Sequence, residues 1–278
     1  MSSSTGRALP EGIVLADTIT KLGPDAAGAV VISGSHGGVY PGYLAAKAGV
    51  RGVILNDAGV GKDRAGIGSL AYCEALGIAA ATVSHQSCRI GDTDDMLARG
   101  RVSHANAQAR AAGASAQMGC LAAAEALRGA PLSEAPAPEH AETRSVLDIE
   151  GAVRRIVLID SASLVKPEDA GQIVLTGSHG GLIGGDPAKA LQVDGYAGIY
   201  NDAGVGADGA GVTRLPALDA RGIAGLTVAV DSARIGDARS AYESGVISRA
   251  NQRAQSLGAR EGMTLRAVLD AWARDQQP

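Results

Sequence analysis

Apolar residues in this chain fall in short unbroken runs and do not alternate with polar ones. Four runs, at 13–16, 29–33, 52–55 and 79–83, are separated by stretches of helix-like spacing or by Gly, Pro and Asp. Such a run predicts a strand buried on both faces. The same order of runs returns at 156–159, 173–176, 197–200 and 225–230. Helices are predicted over 67–76 and 212–220, over the polar, Ala- and Asn-containing 103–112 and 248–257, and after each of two glycine-rich turns. Alternation of strand and helix predicts a mostly parallel sheet covered by helices.

The second set of runs is a copy of the first. Gly34-Ser35-His36-Gly37-Gly38 recurs as Gly177-Ser178-His179-Gly180-Gly181, a shift of 179 − 36 = 143. Asn56-Asp57-Ala58-Gly59-Val60-Gly61 recurs as Asn201-Asp202-Ala203-Gly204-Val205-Gly206, a shift of 202 − 57 = 145. Arg89-Ile90-Gly91-Asp92 and Arg234-Ile235-Gly236-Asp237 keep that second register. The expected architecture is therefore α/β: a tandem duplication of a mostly parallel-sheet unit about a pseudo-twofold axis. An alternative is a (β/α)8 barrel assembled from two half-barrels. The first two strands begin only 29 − 13 = 16 residues apart, short for a full crossover helix, which favours the open units. The boundaries expected are 1–130 for the first repeat, 131–145 for a Pro/Ala/Glu-rich linker and 146–278 for the second repeat.

Composition narrows the partners. With 25 basic and 29 acidic residues the net charge is −4, and no basic block would neutralise a phosphate backbone, so no nucleic-acid partner is expected. Phe is absent and aromatic residues make up 3%, so the core must be built from Ala, Val, Ile and Leu. Three cysteines without Cys-x-x-Cys spacing argue against a disulfide framework or a cysteine-rich zinc site, and a reducing cytoplasmic location is expected. Residues 1–7 do not read as a leader, and no run is long enough to span a bilayer, so no membrane partner is expected. A small-molecule substrate and a homo-oligomeric assembly complete the expectation.

The candidate chemistry lies at the predicted carboxyl ends of the parallel strands, where α/β folds place ligands. His36 and His179 are the candidate general bases, with Asp57 or Asp202 orienting them and Ser35 and Ser178 beside them. Gly37, Gly38, Gly180 and Gly181 would let backbone N–H groups approach an oxyanion. Asn56, Asn201, Arg89, Arg234 and Lys62 are candidate substrate contacts, the arginines as carboxylate clamps. Asp17 and Asp160 are expected to cap the turns that follow the first strands, and Cys88 to be a core residue. No cofactor is required by this constellation. A divalent metal ion on His36, Asp57 and Asp17 is the alternative, although no His-x-His or His-Glu-x-x-His spacing supports it.

These parts point to a hydrolase for a small, polar, anionic substrate, opening an amide or cyclic-amide C–N bond. The same parts suit an isomerase or lyase that removes a proton next to a carbonyl, or a non-catalytic module that binds a small anion. Lys62 faces Ala207, His85 faces Val230, Cys88 faces Ala233 and Tyr40 faces Ile183 across the repeat. Mismatches of this kind favour one composite site built by both halves, or one active half beside a degenerate one, over two identical sites.

Overall fold

The computed structural model describes residues 9–275, so the N-terminal segment 1–7 falls outside the described residues. Its strands form two mixed sheets. The first has the order β1 (Ile13–Ala16), β2 (Val30–His36), β3 (Gly52–Asn56), β4 (Ala79–Val83) and β5 (Val102–Ala105), parallel except for β5, which runs antiparallel to β4. The second contains β6 (Arg144–Leu147), β7 (Ile156–Ile159), β8 (Ile173–His179), β9 (Ala197–Asn201), β10 (Ala224–Val228) and β11 (Ile247–Ala250) in sequential order, with antiparallel strands at its two edges. Helices α1 (Val39–Lys47), α2 (Gly68–Ala75), α3 (Thr93–Arg99), α4 (Ala107–Ala111) and α5 (Cys120–Leu127) belong to the first unit. Helices α6 (Arg214–Asp219), α7 (Ala238–Ser244), α8 (Gln252–Ser256) and α9 (Leu265–Arg274) belong to the second. No helix among the described residues is long and apolar enough to cross a membrane.

Each sheet is buried on both faces, which is why its strands read as continuous apolar runs. In β2, Val30 and Ile32 join one core while Val31 joins the other, and in β3 Ile54 and Leu55 divide in the same way. The second unit repeats this with Ile173 and Leu175 on one face and Val174 on the other.

Three expected helices differ from what is found. The stretches 103–112 and 248–257 each split into an edge strand and a short helix, because Asn106 and Asn251 start the helix by accepting the N–H of Ala109 and Ala254. The residues before each Asn stay extended and pair with β4 and β10. After the second glycine turn the chain makes only 3-10 turns at Ile183–Gly185 and Pro187–Lys189, since Gly184 and Gly185 adopt positive φ and Pro187 follows.

The two units meet through contacts that repeat under exchange of the halves. Lys62 N donates to Val230 O at 3.0 Å, and Ala207 N, its equivalent, donates to His85 O at 2.7 Å. A reciprocal pair of this kind is the mark of a twofold relation. Ala58, Ile90, Ala203, Ala210 and Ile235 form a small apolar core between the units. Here the Asn-Asp-Ala-Gly turns abut so closely that a methyl group on Gly59 would stand 3.1 Å from Gly204. Val60 and Val205 hold φ of 62° in these turns, a strained setting for a β-branched residue that both halves retain.

Candidate functional site

The glycine turns leave the sheet through a break in its ladder. Pairing between β2 and β3 shifts after Ile32 and resumes with His36 opposite Asn56; β8 and β9 do the same at His179 and Asn201. Gly34 is required within that break, because a Cβ there would meet Asp17 O at 2.7 Å and Gly91 Cα at 2.9 Å. The irregularity redirects the chain so that Ser35, His36, Ser178 and His179 all line one cavity of about 230 Å³ between the units. Scaled against a 150 Å³ void that takes up benzene, this volume suits a ligand of about nine non-hydrogen atoms.

Both imidazoles have the same local partner. Nδ1 of His36 accepts the Gly38 N–H at 3.1 Å, and Nδ1 of His179 accepts the Gly181 N–H at 3.2 Å. Burial holds His36 at a pKa of about 4. Burial, then the Arg214 charge and the neighbouring His36, push His179 well below its ordinary value. Both rings are therefore neutral at pH 7, and a neutral ring that accepts at Nδ1 carries its proton on Nε2. Each reaches across the interface: Cε1 of His36 lies 3.4 Å from where a Cβ on Gly236 would stand, and Cε1 of His179 stands likewise to Gly91.

The cavity is not symmetric in charge. Glu142, in the stretch just before β6, lines it on one side beside Tyr40, Asp160 and Ser161. Burial raises the Glu142 carboxyl to about 7; the Ser161 and Tyr40 hydroxyls oppose that rise and the Asp160 charge adds to it. Its backbone is fixed by the next residue, since Thr143 N and Oγ1 both donate to Asp160 Oδ2 at 2.7 Å. Arg214, 2% exposed at the start of α6, lines the same cavity. Its Nε donates to Gly181 O at 3.0 Å, and its Nη1 donates to Lys189 O and Ala190 O. Its guanidinium lies 4.8 Å from the centre of the Tyr200 ring.

The remaining sequence candidates have other work. Gly37 N and Gly180 N donate to Asn56 O and Asn201 O, and Gly38 N and Gly181 N cap the histidines, so these four amides are already spent and are not oxyanion donors. Asp57 does not orient His36: its Oδ1 accepts His85 Nδ1 at 2.8 Å, His85 N at 2.9 Å and Gly59 N at 3.2 Å. Asp202 Oδ1 accepts Gly204 N and Val230 N in the equivalent place. Asn56 and Asn201 are buried and brace the same turns through Ala58 N and Ala203 N.

Arg89 and Arg234 are interface pins and not clamps. Each chelates the Asp three residues on, then reaches the opposite half, Arg89 to Asp208 at 3.1 Å and Arg234 to Asp63 at 3.0 Å. Lys62 likewise crosses to Ser232 O and Ser244 Oγ. Asp17 and Asp160 accept the N–H groups of Thr93 and Ala238 at the starts of α3 and α7; the turns after β1 and β7 are capped by Thr18 and Ser161 instead. Cys88 is buried, with its thiol pushed up to about 12 by that burial. His36, Asp57 and Asp17 have these separate partners, and no group of three or more His, Cys, Asp or Glu among the described residues is arranged to hold a metal ion.

The sequence reading missed Glu142 and Arg214. Glu142 sits in a Pro-rich stretch without a counterpart in the first half, and Arg214 stands where the first half has Ser69 (214 − 145 = 69). A lone Arg in the first turn of a predicted helix, opposite a Ser, was the available signal. No family model, curated protein or solved structure matches the chain.

Proposed function

We propose that this cavity is the active site of an enzyme that moves a proton next to a carbonyl group in a small anionic substrate, as an isomerase or lyase does. The observation that carries the reading is the meeting, in one cavity, of two neutral imidazoles capped at Nδ1 with one carboxyl held near neutrality. A base works best when its pKa is close to the working pH, and Glu142 satisfies that condition. His36 and His179 do not serve as bases in this reading, because their free nitrogen already carries a proton. They are donors for oxygen.

The step balances without a cofactor. The Glu142 carboxylate takes the proton; the C–H pair becomes the C=C bond of an enolate, and the carbonyl π pair moves to oxygen. Nε2–H of His36 and His179 stabilises that oxygen, a division of labour suited to enolisation. Glu142 then returns the proton to another carbon or another face, or the enolate expels a group from the β-carbon.

Hydrolysis of a C–N bond would need an activated nucleophile. Ser35 Oγ accepts Ile19 N at 3.0 Å and Ser178 Oγ accepts Ala162 N at 2.9 Å, and neither has an imidazole or carboxylate bonded to it among the described residues. Proton transfer to carbon is the better supported chemistry.

The test is solvent exchange. Pyruvate, 2-oxobutyrate and 2-oxoglutarate, incubated with the protein in deuterium oxide, are expected to gain deuterium next to the carbonyl for at least one of them, and Glu142→Gln is expected to lose that exchange. Uptake of labelled water oxygen into the products of a cyclic amide, without exchange at carbon, would replace this reading with hydrolysis.

A further inference from the structure

Ser69 and Arg214 are the same position in the two units: Ser69 N donates to Gly37 O at 2.8 Å, and Arg214 N donates to Gly180 O at 2.9 Å. In the first unit the side chain is a buried hydroxyl without a hydrogen-bond partner. In the second it is a buried guanidinium. Among the described residues no carboxylate lies within ion-pair distance of Arg214; its bonds to the protein end on the backbone carbonyls of Gly181, Lys189 and Ala190 and on the Tyr200 side chain, none of them a counterion. A buried cation without a counterion is costly, and folds retain one where a ligand supplies the missing charge. Arg214 lines the cavity and lowers the pKa of His179 through its charge, so it stands beside the donors assigned to the carbonyl oxygen.

Resting on the proton-transfer reading above, we infer that Arg214 anchors a carboxylate of the substrate, so that the enzyme takes a small oxo acid bound in one direction. The carboxylate lies at Arg214, and the carbon that exchanges its proton lies at Glu142. One fixed positive charge and its planar fork are matched by one carboxylate of an oxo acid. The other cations on the lining, Lys21 and Lys189, are exposed at its rim, and Lys189 already pairs with Asp186 at 3.5 Å. A volume suited to about nine non-hydrogen atoms agrees with an oxo acid of a few carbons. The pseudo-symmetric donors by themselves would accept such a molecule in two orientations. Arg214 removes that ambiguity.

The probes are pyruvate, 2-oxobutyrate and 2-oxoglutarate, each with its methyl ester and with inorganic phosphate as a control, titrated by calorimetry against the whole chain. At least one acid is expected to bind, its fully esterified form and phosphate at least tenfold more weakly. Arg214→Lys is expected to weaken that acid about tenfold, since the charge is kept and the planar fork lost, and Arg214→Met about a hundredfold. If Arg214→Met does not fold, the wild-type contrast between acid and ester decides. Equal affinity of acid and ester, binding of none of the three acids, or unchanged affinity in Arg214→Met overturns the inference. Glu142→Gln separates it from the reading beneath: a variant that binds the acid normally but exchanges no deuterium supports both. A Glu142→Gln variant that still exchanges defeats the proton-transfer role alone, and normal binding in Arg214→Met with a dead Glu142→Gln defeats the carboxylate anchor alone.

Discussion

The two units carry the same frame and different charges. Asp57 and Asp202, Arg89 and Arg234, and the capped histidines occupy matching places with matching partners, apart from the His85 ring that only Asp57 binds. What differs at the cavity includes Ser69 against Arg214, Tyr40 against Ile183, and Glu142, which has no counterpart. The repeated residues fasten the halves together and aim two rings into one cavity. The unrepeated ones make that cavity polar in one direction. In this duplicated chain the residues common to both copies describe the scaffold first, and the divergent ones set the charge of the cavity.

The comparison can be broken most sharply at Glu142. Glu142→Gln is expected to lower turnover of an exchanging oxo acid by about 10²–10⁴-fold, the usual worth of a general base. It is also expected to stabilise the protein at pH 8. The folded pKa of about 7 stands above the ordinary 4.5, so this group's stabilising contribution is complete below about 4.5 and is lost as pH rises through 7. Removing the charge recovers about 1–2 kcal/mol after allowance for partial exposure, measured by urea unfolding. In the wild type, kcat/KM should climb as pH passes through about 7 and then level off, with Tyr40, Asp160 and Ser161 the groups that face the titrating carboxyl.

The histidines are the next place to press. If they donate to oxygen, Gln, which keeps an N–H, should retain more activity than Ala at position 36 or 179, and each Ala variant should lose about a hundredfold in kcat. A base role would make Gln and Ala equally inactive. The same variants bear on acid stability. Each ring has a folded pKa below its ordinary 6.5, so stability is present above 6.5 and is lost as pH falls toward 4, where the unfolded chain binds protons that the folded chain refuses. His36→Gln should flatten that loss by about 2–3 kcal/mol near pH 4.

The smallest effects are expected at the pins. Arg89→Ala and Arg234→Ala each remove partly exposed ion pairs and should cost at most about 1 kcal/mol, with KM for the oxo acid unchanged. A tenfold rise in KM in either variant would return these arginines to the substrate.

The fold was legible because strands buried on both faces write themselves as apolar runs, and because the chain writes them twice. The edge strands β5 and β11 were read as helix because Ser103-His104-Ala105 and Ser248-Arg249-Ala250 carry no apolar run, and only the cap at the following Asn separates strand from helix. For the cavity, the Gly-Ser-His turns drew attention to strand ends that do line it. The destinations of Asp57 and Arg89 were hidden, since His85 is 28 residues from the one and Asp208 is 119 residues from the other, a distance only the packing of the two units closes. Glu142 was hidden for a different reason: its value near neutrality arises from burial and from Asp160, and neither can be seen in an Ala-Glu-Thr sequence.

The central claim is that His36 and His179 are neutral Nε2–H donors facing one ligand. Nitrogen NMR of the imidazole rings, with His36 and His179 picked out from the chain's 5 histidines by their Gln variants, tests it most directly. Both rings are expected to stay neutral with the proton on Nε2 from about pH 8 down to about pH 5, and both signals to move together when the bound oxo acid is titrated in. A ring that titrates near 6.5, carries its proton on Nδ1, or ignores the ligand while the other responds would contradict it.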